Sequence, residues 1–368
     1  MKSALLTAAL LFCCFIIARA QFFRFSPTGD TTRMISLEGY ADVYFGFDFN
    51  QPKEAGRPYV VSHSRHNETN LNLAYLSIKY NSERARATFT PGFGTYMNAN
   101  YVLERVTLRN IVEANIGIKP FKHNGIWIDA GVFIAPYTTE SAIAHEALLY
   151  TRSFAAEYSP YYLTGIRATL PLGKKILLYL YLVNGWQVIE DINTPLSLGS
   201  SLEWKPTEKL TFNWSTYAGN ESAASQPQYK GRFFSDLYAV YVPNKRVVLS
   251  ADVYAGHQRL TDSINRKDPV SWYQAHVNGR YFLSQSQSVS ARVEYFHDAH
   301  AVLIIPVTGL NRWDCGSASL AYTVAITDNL SFHAEGRYFV SGGDIFFNDK
   351  VEPSNTSGLL IGGLTAKF

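Results

Sequence analysis

His145 and Glu146 come nearest to the spacing of a catalytic motif. Adjacent His and Glu begin the His-Glu-x-x-His pattern, in which two His bind zinc and the Glu is a general base. Position 149 is Leu, so the second metal ligand is missing. The sequence also has no Gly-x-Ser-x-Gly nucleophile turn and no glycine-rich phosphate loop. We therefore predict no catalytic residue, no metal and no cofactor from local motifs.

The other residues that could do chemistry are charged, and they recur at every second position. In the segment 35–47, Leu37 and Val43 belong to one alternating set, and Glu38 and Asp42 belong to the other. Because strand side chains point alternately to opposite faces, one face is apolar and the other is charged. Repeats of this pattern over about 10 residues predict an all-β fold, a closed antiparallel transmembrane β-barrel with a wet interior.

Charged strand residues should face the lumen, since a charge facing lipid at the midplane costs about 2–4 kcal/mol. Both signs occur among them, so we expect many to form structural ion pairs. The candidates for the lumen wall are Asp42, Arg84, Arg86, Glu113, Asp129, Arg167, Asp252, Arg280, Arg292, Glu294, Glu335 and Arg337.

The alternation and the turn residues predict about 16 strands. The predicted strands are 34–50, 70–80, 84–96, 109–120, 126–136, 161–172, 176–186, 196–205, 209–220, 232–242, 246–260, 270–283, 289–299, 313–326, 330–341 and 358–368. Their connections alternate between short and long, which is typical of periplasmic turns and extracellular loops. The 24 Tyr and 23 Phe fit aromatic belts at the membrane interfaces, for which Tyr44, Trp186 and Trp214 are examples.

The N-terminus has the pattern of a secretory signal peptide. Lys2 precedes an apolar run, and Ala18-Arg19-Ala20 forms a small-x-small cleavage site. We therefore predict a signal peptide at 1–20 and a barrel domain at 21–368, which implies export from the cytoplasm. The apolar run is too short to span a membrane as a helix, which needs about 20 residues.

Charge and cysteine content exclude further classes. The chain has 33 Lys and Arg against 30 Asp and Glu, and cleavage would remove Lys2 and Arg19. A nearly neutral chain argues against nucleic acid as a partner. Only Cys315 would remain after cleavage, so no disulfide can form within the mature chain.

The sequence resembles the OmpL-like β-barrel porins of Bacteroidota-type outer membranes. The resemblance covers the mature chain and rests on Glu38–Tyr44, on Tyr150–Ser153 followed by Thr164-Gly165, and on the ending Leu364–Phe368. It implies an outer-membrane location and passage of solutes, and it gives no catalytic residues.

In porins of similar strand number, the third extracellular loop folds into the lumen and narrows it. By this resemblance, the loop 137–160 supplies candidates for a pore constriction, which are Glu140, His145, Glu146, Tyr150, Arg152 and Glu157. Covering the barrel mouth is the alternative role for this loop. Its Ala, Leu and Glu favour a helix within 141–150 that Ser141 would cap. Because three Glu outnumber one Arg, we predict a weak cation preference.

Phe368 ends an apolar alternating set, like the sorting signal of outer-membrane barrels. We therefore expect it to act in assembly, through the barrel assembly machinery. The other expected partners are outer-membrane lipid and small hydrophilic solutes, and a homo-oligomer is left open. The sequence favours a porin for passive diffusion of small hydrophilic solutes or ions. A surface binding or adhesion barrel with a plugged lumen and an outer-membrane hydrolase are the alternatives.

Overall fold

The computed structural model describes residues 23–25, 33–53, 55–122, 124–191, 193–224, 227–261 and 269–368. The predicted signal peptide at 1–20 lies outside these residues. The strands are β1 Phe23–Phe25, β2 Met34–Asp48, β3 Thr69–Asn81, β4 Ala85–Phe93, β5 Ile111–Ile118, β6 Trp127–Ile134, β7 Tyr162–Pro171, β8 Ile176–Val183, β9 Ser197–Thr207, β10 Leu210–Asn220, β11 Tyr229–Asn244, β12 Val247–Leu260, β13 Val270–Phe282, β14 Gln287–Asp298, β15 Trp313–Ala325, β16 Leu330–Ser341, β17 Phe346–Phe347, β18 Pro353–Ser354 and β19 Thr356–Lys367.

Sixteen of these strands, β2–β16 and β19, form one closed antiparallel barrel, which confirms the predicted fold class. Each strand pairs with the next, and β19 pairs with both β16 and β2 to close the ring. Short turns join the strands at one end of the barrel, which we call the short-turn end. Longer connections lie at the other end, which we call the long-loop end.

The outer surface of the barrel is apolar. Val277, Val293 and Leu320 are each at least 60% exposed, although such side chains are normally buried in soluble proteins. Asp42, Asp252 and other charged residues of the alternate set point into the barrel and are buried. This inside-out arrangement is stable in a bilayer, where the exposed apolar faces contact hydrocarbon.

Two local features move residues away from their predicted places. Arg84 lies in the turn between β3 and β4, and its guanidinium donates to the carbonyl oxygens of Lys119 and Pro120. It therefore bridges two turns and is not a wall residue. Val112 belongs to the apolar alternating set of its strand, which the pattern predicts to face lipid, but it is 2% exposed, because a shift in register beside Thr90 and Pro91 turns it inward.

Two short helices are described, α1 Thr95–Asn100 and α2 Phe154–Glu157. The strand predicted to reach residue 96 ends at Phe93, because Gly94 has φ +131°, and a Cβ there would lie 2.3 Å from the carbonyl oxygen of Asn72. No helix in the described part of the chain is long and apolar enough to cross a membrane.

The C-terminus is held at the seam between β19 and β2. The main-chain N–H of Gly39 donates to the carbonyl of Phe368 at 2.6 Å, and the N–H of Phe368 donates back at 2.9 Å. The Phe368 ring occupies the space of a Gly39 side chain, since a Cβ there would lie 2.1 Å from the ring. Beyond this point β1 pairs with residues 35–37 of β2 and continues the line of β19.

Candidate functional site

The connection between β6 and β7 lies inside the barrel; we call residues 135–161 the lumen loop. Its main-chain N–H groups donate to side chains of the wall, as Thr138 does to Asp236 at 3.0 Å and Ala144 does to the Tyr40 hydroxyl at 3.0 Å. Because loops need partners for their backbone groups, these wall side chains supply hydrogen bonds that secondary structure otherwise would.

The helix predicted within 141–150 is absent from the lumen loop, because side chains of the wall bind the backbone groups that a helix would use. Arg280 donates to the carbonyls of Ala147 and Leu148, at 2.9 and 2.7 Å. The Ser141 hydroxyl accepts the nearby N–H of Ile143, at 3.1 Å, and caps no helix. Wall contacts thus hold this segment in turns, and the described helix of the loop, α2, begins later and is capped by Ser153.

A buried network of charges anchors the loop to the wall. Arg292 contacts Glu140 of the loop and Glu294 of its own strand, both at 3.3 Å, and lies 3.6 Å from Glu335. These side chains are at most 1% exposed. Arg337 pairs with Glu294 as well. Removing one partner of a buried pair leaves an uncompensated charge, so loss of any one member of the network should be strongly destabilising.

The carboxylates of the network also bind the loop backbone. Glu335 accepts the N–H groups of Tyr150 and Thr151, at 2.9 and 2.7 Å, and Glu294 accepts that of Phe154 at 2.6 Å. Burial disfavours the charge of Glu140, but the attraction of Arg292 and the N–H of Ser153 outweigh it and lower the pKa of this carboxyl to about 2. Glu140 is therefore ionised at neutral pH.

Aromatic packing completes the anchor. The ring of Phe154 lies edge-on to Trp313, with centroids 4.9 Å apart. The ring of Tyr150 stacks on His333 at 4.7 Å, and its hydroxyl donates to Asp42 at 2.6 Å. Gly363 makes room for this hydroxyl, because a Cβ there would lie 1.9 Å from it.

The lumen loop divides the interior into two unlike walls. We call the inward face of β11–β16, β19 and β2 the sealed wall, since the loop packs on it and covers Arg292, Glu335 and Arg337, which are at most 1% exposed. We call the inward face of β4–β9 the open wall. There the side chains of Arg86, Arg167 and Glu203 are 29%, 18% and 27% exposed.

On the open wall, two arginines share one carboxylate. Arg86 and Arg167 both pair with Asp129, at 2.5 and 3.2 Å. A Cβ on Gly117 would lie 2.1 Å from the Asp129 carboxylate, so this glycine gives the carboxylate its place. Two positive charges beside one negative charge leave the cluster with a positive surplus.

The remaining predicted residues have separate places. His145 lines a cavity of about 380 Å³ at the short-turn end, where burial and Lys367 lower its pKa to about 4. Glu146 is exposed. Glu157 accepts the N–H of Val61 at 2.7 Å, and Asp252 accepts from the amide of Gln274 at 2.5 Å.

Glu113 accepts from the Asn115 amide at 3.0 Å. Within the described residues no cluster of three or more His, Cys, Asp or Glu is placed to hold a metal ion.

Sequence reasoning missed the aromatic filling of the lumen. Tyr44, assigned to an interfacial belt, is 1% exposed and faces inward, and Trp186 packs on Tyr217 and Phe234 within the interior cluster. Both assignments were wrong, because they rested on the position of each residue near the end of a strand and did not consider whether its side chain points outward or inward. The signal was present, since Tyr254, Phe296 and Trp313 also occupy buried positions of the inward set.

A closed sixteen-stranded barrel with an apolar outer surface and charged side chains inside is the fold of an outer-membrane channel. The chain belongs to the family described as "Putative beta-barrel porin-2, OmpL-like", whose model matches residues 34–368. It is thus an outer-membrane porin, a channel for passive diffusion of small hydrophilic solutes or ions. The resemblance to the OmpL-like porins is confirmed, whereas the Bacteroidota-type membrane stays a prediction.

Solved porin structures share the fold at low sequence identity. The anion-selective porin from Comamonas acidovorans is 8% identical with a TM-score of 0.62, over 91% of this chain and 100% of that one. The outer-membrane channel DcaP of Acinetobacter baumannii is 9% identical with a TM-score of 0.62, over 93% and 99%. Salmonella typhi OmpF, in complex with daunomycin, is 10% identical with a TM-score of 0.60, over 94% and 100%. A search of curated proteins finds no match.

Proposed function

We propose that this porin lies in the outer membrane of a Gram-negative cell, after cleavage of a signal peptide behind Ala20. The short-turn end faces the periplasm and the long-loop end faces outward. The even number of strands supports this orientation, because both ends of the barrel sequence, Met34 and Phe368, then lie at the short-turn end.

The lumen loop is the constriction of the proposed channel, and solutes pass between it and the open wall. One observation carries this proposal: Arg86 and Arg167 of the open wall are partly exposed, whereas Arg292 and Glu335, which the loop covers on the sealed wall, are not. Among the six candidate residues, Glu140 and Tyr150 act as anchors and Arg152 lies beside the path. Glu157 braces the loop against Val61, and His145 and Glu146 face the periplasmic mouth.

Conductance of the refolded full chain in planar bilayers tests this proposal. We expect stepwise, ohmic channels, together with uptake of small sugars by liposomes and exclusion of large ones. Glu335→Gln, which weakens the hold on Tyr150 and Thr151, should raise the conductance. Glu352→Gln in the exposed connection near β18 is the matched control and should leave it unchanged. Heat-modifiable barrel that conducts nothing would contradict the proposal.

A plugged barrel that binds ligands at the cell surface is the second candidate. A cavity of about 660 Å³ at the long-loop end favours it, since Phe154, Phe339 and Phe346 line that cavity beside Arg57. The same bilayer experiment separates the two, because a plugged barrel gives no steps. We propose no enzymatic activity, and assays for phospholipid or ester hydrolysis by the purified protein test the hydrolase alternative.

Assembly and partners complete the proposal. Phe368 at the seam serves the barrel assembly machinery, and the apolar outer face contacts lipid. We also propose a homo-oligomer, supported by the trimer form of OmpT of Vibrio cholerae, which is 9% identical with a TM-score of 0.57. Cross-linking of the native outer membrane tests the oligomer.

A further inference from the structure

Arg152 of the lumen loop carries a buried charge without an ion-pair partner in the described part of the chain. The residue is 4% exposed. One of its terminal nitrogens donates to the carbonyl of Ala156, while its Nε and Nη1 atoms have no hydrogen-bond partner. The rings of Tyr96 and Tyr161 flank the guanidinium at 5.6 and 5.4 Å.

The guanidinium lines a cavity of about 200 Å³ between the two ends of the lumen loop and Tyr238 of β11. Thr139, Ser141 and Tyr238 of this lining are only partly buried, so solvent reaches the cavity. A single water needs roughly 10–15 Å³ of such space, so the cavity is large enough for a small solute.

A buried charge without a partner is costly and is usually retained for a function. Neighbouring groups attract the Arg152 charge from a distance, but in the described part of the chain no carboxylate forms an ion pair with it. Glu140, which also lines the cavity, is bound by Arg292, by the amide of Asn278 and by the N–H of Ser153.

Glu157 is the other nearby carboxyl, and it accepts the N–H of Val61. Burial raises the pKa of Glu157 against the attraction of Arg152.

We propose that Arg152 is a binding position for the anionic group of a permeating solute, with a small monocarboxylate as its class of ligand. One unpaired positive charge matches one negative charge, and hydrogen bonds from a guanidinium to a carboxylate are strong. The positive surplus at Arg86, Arg167 and Asp129 lies on the proposed path and favours the same sign. This inference rests on the proposed channel.

The inference reverses the cation preference that the loop composition predicts. That prediction compared three Glu with one Arg and gave equal weight to every charge in 137–160. In the structure Glu140 pairs with Arg292 behind the loop, and Glu146 lies within the field of Lys79 and Lys367. Selectivity depends on the charges that a passing ion meets, and Arg152 lines the cavity without an ion-pair partner in the described residues.

Reversal potentials in a gradient of potassium acetate test the site, with the refolded full chain in planar bilayers. The wild type should pass acetate more readily than potassium. Arg152→Gln should lower the acetate-to-potassium permeability ratio by about fivefold, as expected for loss of one unit charge at contact distance in water. Arg152→Lys should keep most of the preference.

Ser141→Asp gives a second test if Arg152→Gln fails to fold. The new carboxylate can still accept the N–H of Ile143 and adds a negative charge to the cavity, so the ratio should fall as well. Arg105→Gln is the matched control, because it removes the same charge from an exposed surface pair with Glu190 and should change nothing.

The outcomes separate the two proposals. A wild type that folds and does not conduct overturns the channel and the site with it. A wild type that conducts and prefers potassium overturns the anion site alone. An unchanged acetate-to-potassium permeability ratio also overturns the anion site, if it is found in a variant, Arg152→Gln or Ser141→Asp, that gives folded channels.

Discussion

The sealed wall and the open wall differ in what compensates their charges. Arg292 of the sealed wall contacts three carboxylates and is excluded from water. Arg86 of the open wall shares Asp129 with Arg167 and remains 29% exposed. Equivalent inward positions of the barrel thus serve two purposes. On the sealed wall, buried ion pairs fix the lumen loop in place. On the open wall, charges that are only partly paired and lie beside water can interact with passing ions.

The largest effect should come from breaking the sealed network. Arg292→Gln leaves Glu140, Glu294 and Glu335 without their shared cation, so we expect a loss of about 3–5 kcal/mol in the free energy of unfolding. Arg86→Gln is the matched change on the open wall, where Arg167 still neutralises Asp129, and it should cost about 1 kcal/mol or less. Urea unfolding in lipid vesicles measures both. Equal losses would show that the two walls do not differ.

Gly363→Val should displace the lumen loop without touching a charge. Its side chain would occupy the place of the Tyr150 hydroxyl, so the hydrogen bond to Asp42 should break and conductance should rise. Gly336→Val on β16 is the control, since nothing lies within 4 Å of its Cβ position. A conductance equal to that of the wild type would mean that Tyr150 does not hold the loop.

Acid should release the loop at low pH. The pKa of Glu140 falls from 4.5 to about 2, so its contribution to stability is fully present above pH 4.5 and is lost as the pH falls through about 2. We expect conductance to stay level between about pH 7 and 5 and to rise below about pH 4.5. Glu140→Gln should remove the part of this rise that Glu140 causes. A rise that is identical in the variant would assign the effect to other groups.

Deleting Phe368 should have the smallest effect on conductance, because the residue lies at the outer seam and touches neither wall. Its loss should lower the yield of heat-modifiable barrel in the outer membrane, since the ring over Gly39 and the paired main-chain bonds are lost. Phe368→Tyr keeps the ring and should assemble normally. Immunoblots of outer-membrane fractions measure the yield, and wild-type yield after deletion would contradict this role.

The sequence alone predicts the barrel well and the inside of the barrel poorly. Period-two alternation reports the two faces of each strand, so strands such as β14 and β16 are found where they are predicted. The ion-pair partners of Arg292 cannot be predicted from this alternation. Glu140 and Glu335 reach it only through the register of neighbouring strands and the path of the lumen loop, which are long-range properties.

The lumen loop shows the same limit of local signals. Its Ala and Leu residues favour a helix, but Arg280 and Glu335 bind the backbone groups that a helix would use. Tertiary contacts therefore override propensity. The inward aromatic residues were the overlooked sign that the lumen is partly filled, since a wide aqueous pore would not bury Phe296 or Trp313.

Labelling of single cysteines tests the division of the lumen most directly. In a Cys315→Ser background, Thr88→Cys on the open wall and Ser319→Cys on the sealed wall would be exposed to a charged methanethiosulfonate reagent during bilayer recording. Thr88 is partly exposed and Ser319 is 6% exposed. We predict rapid labelling and a stepwise change of current at position 88, and none at position 319. Equal labelling at both positions, or labelling of 319 alone, would contradict a path along the open wall.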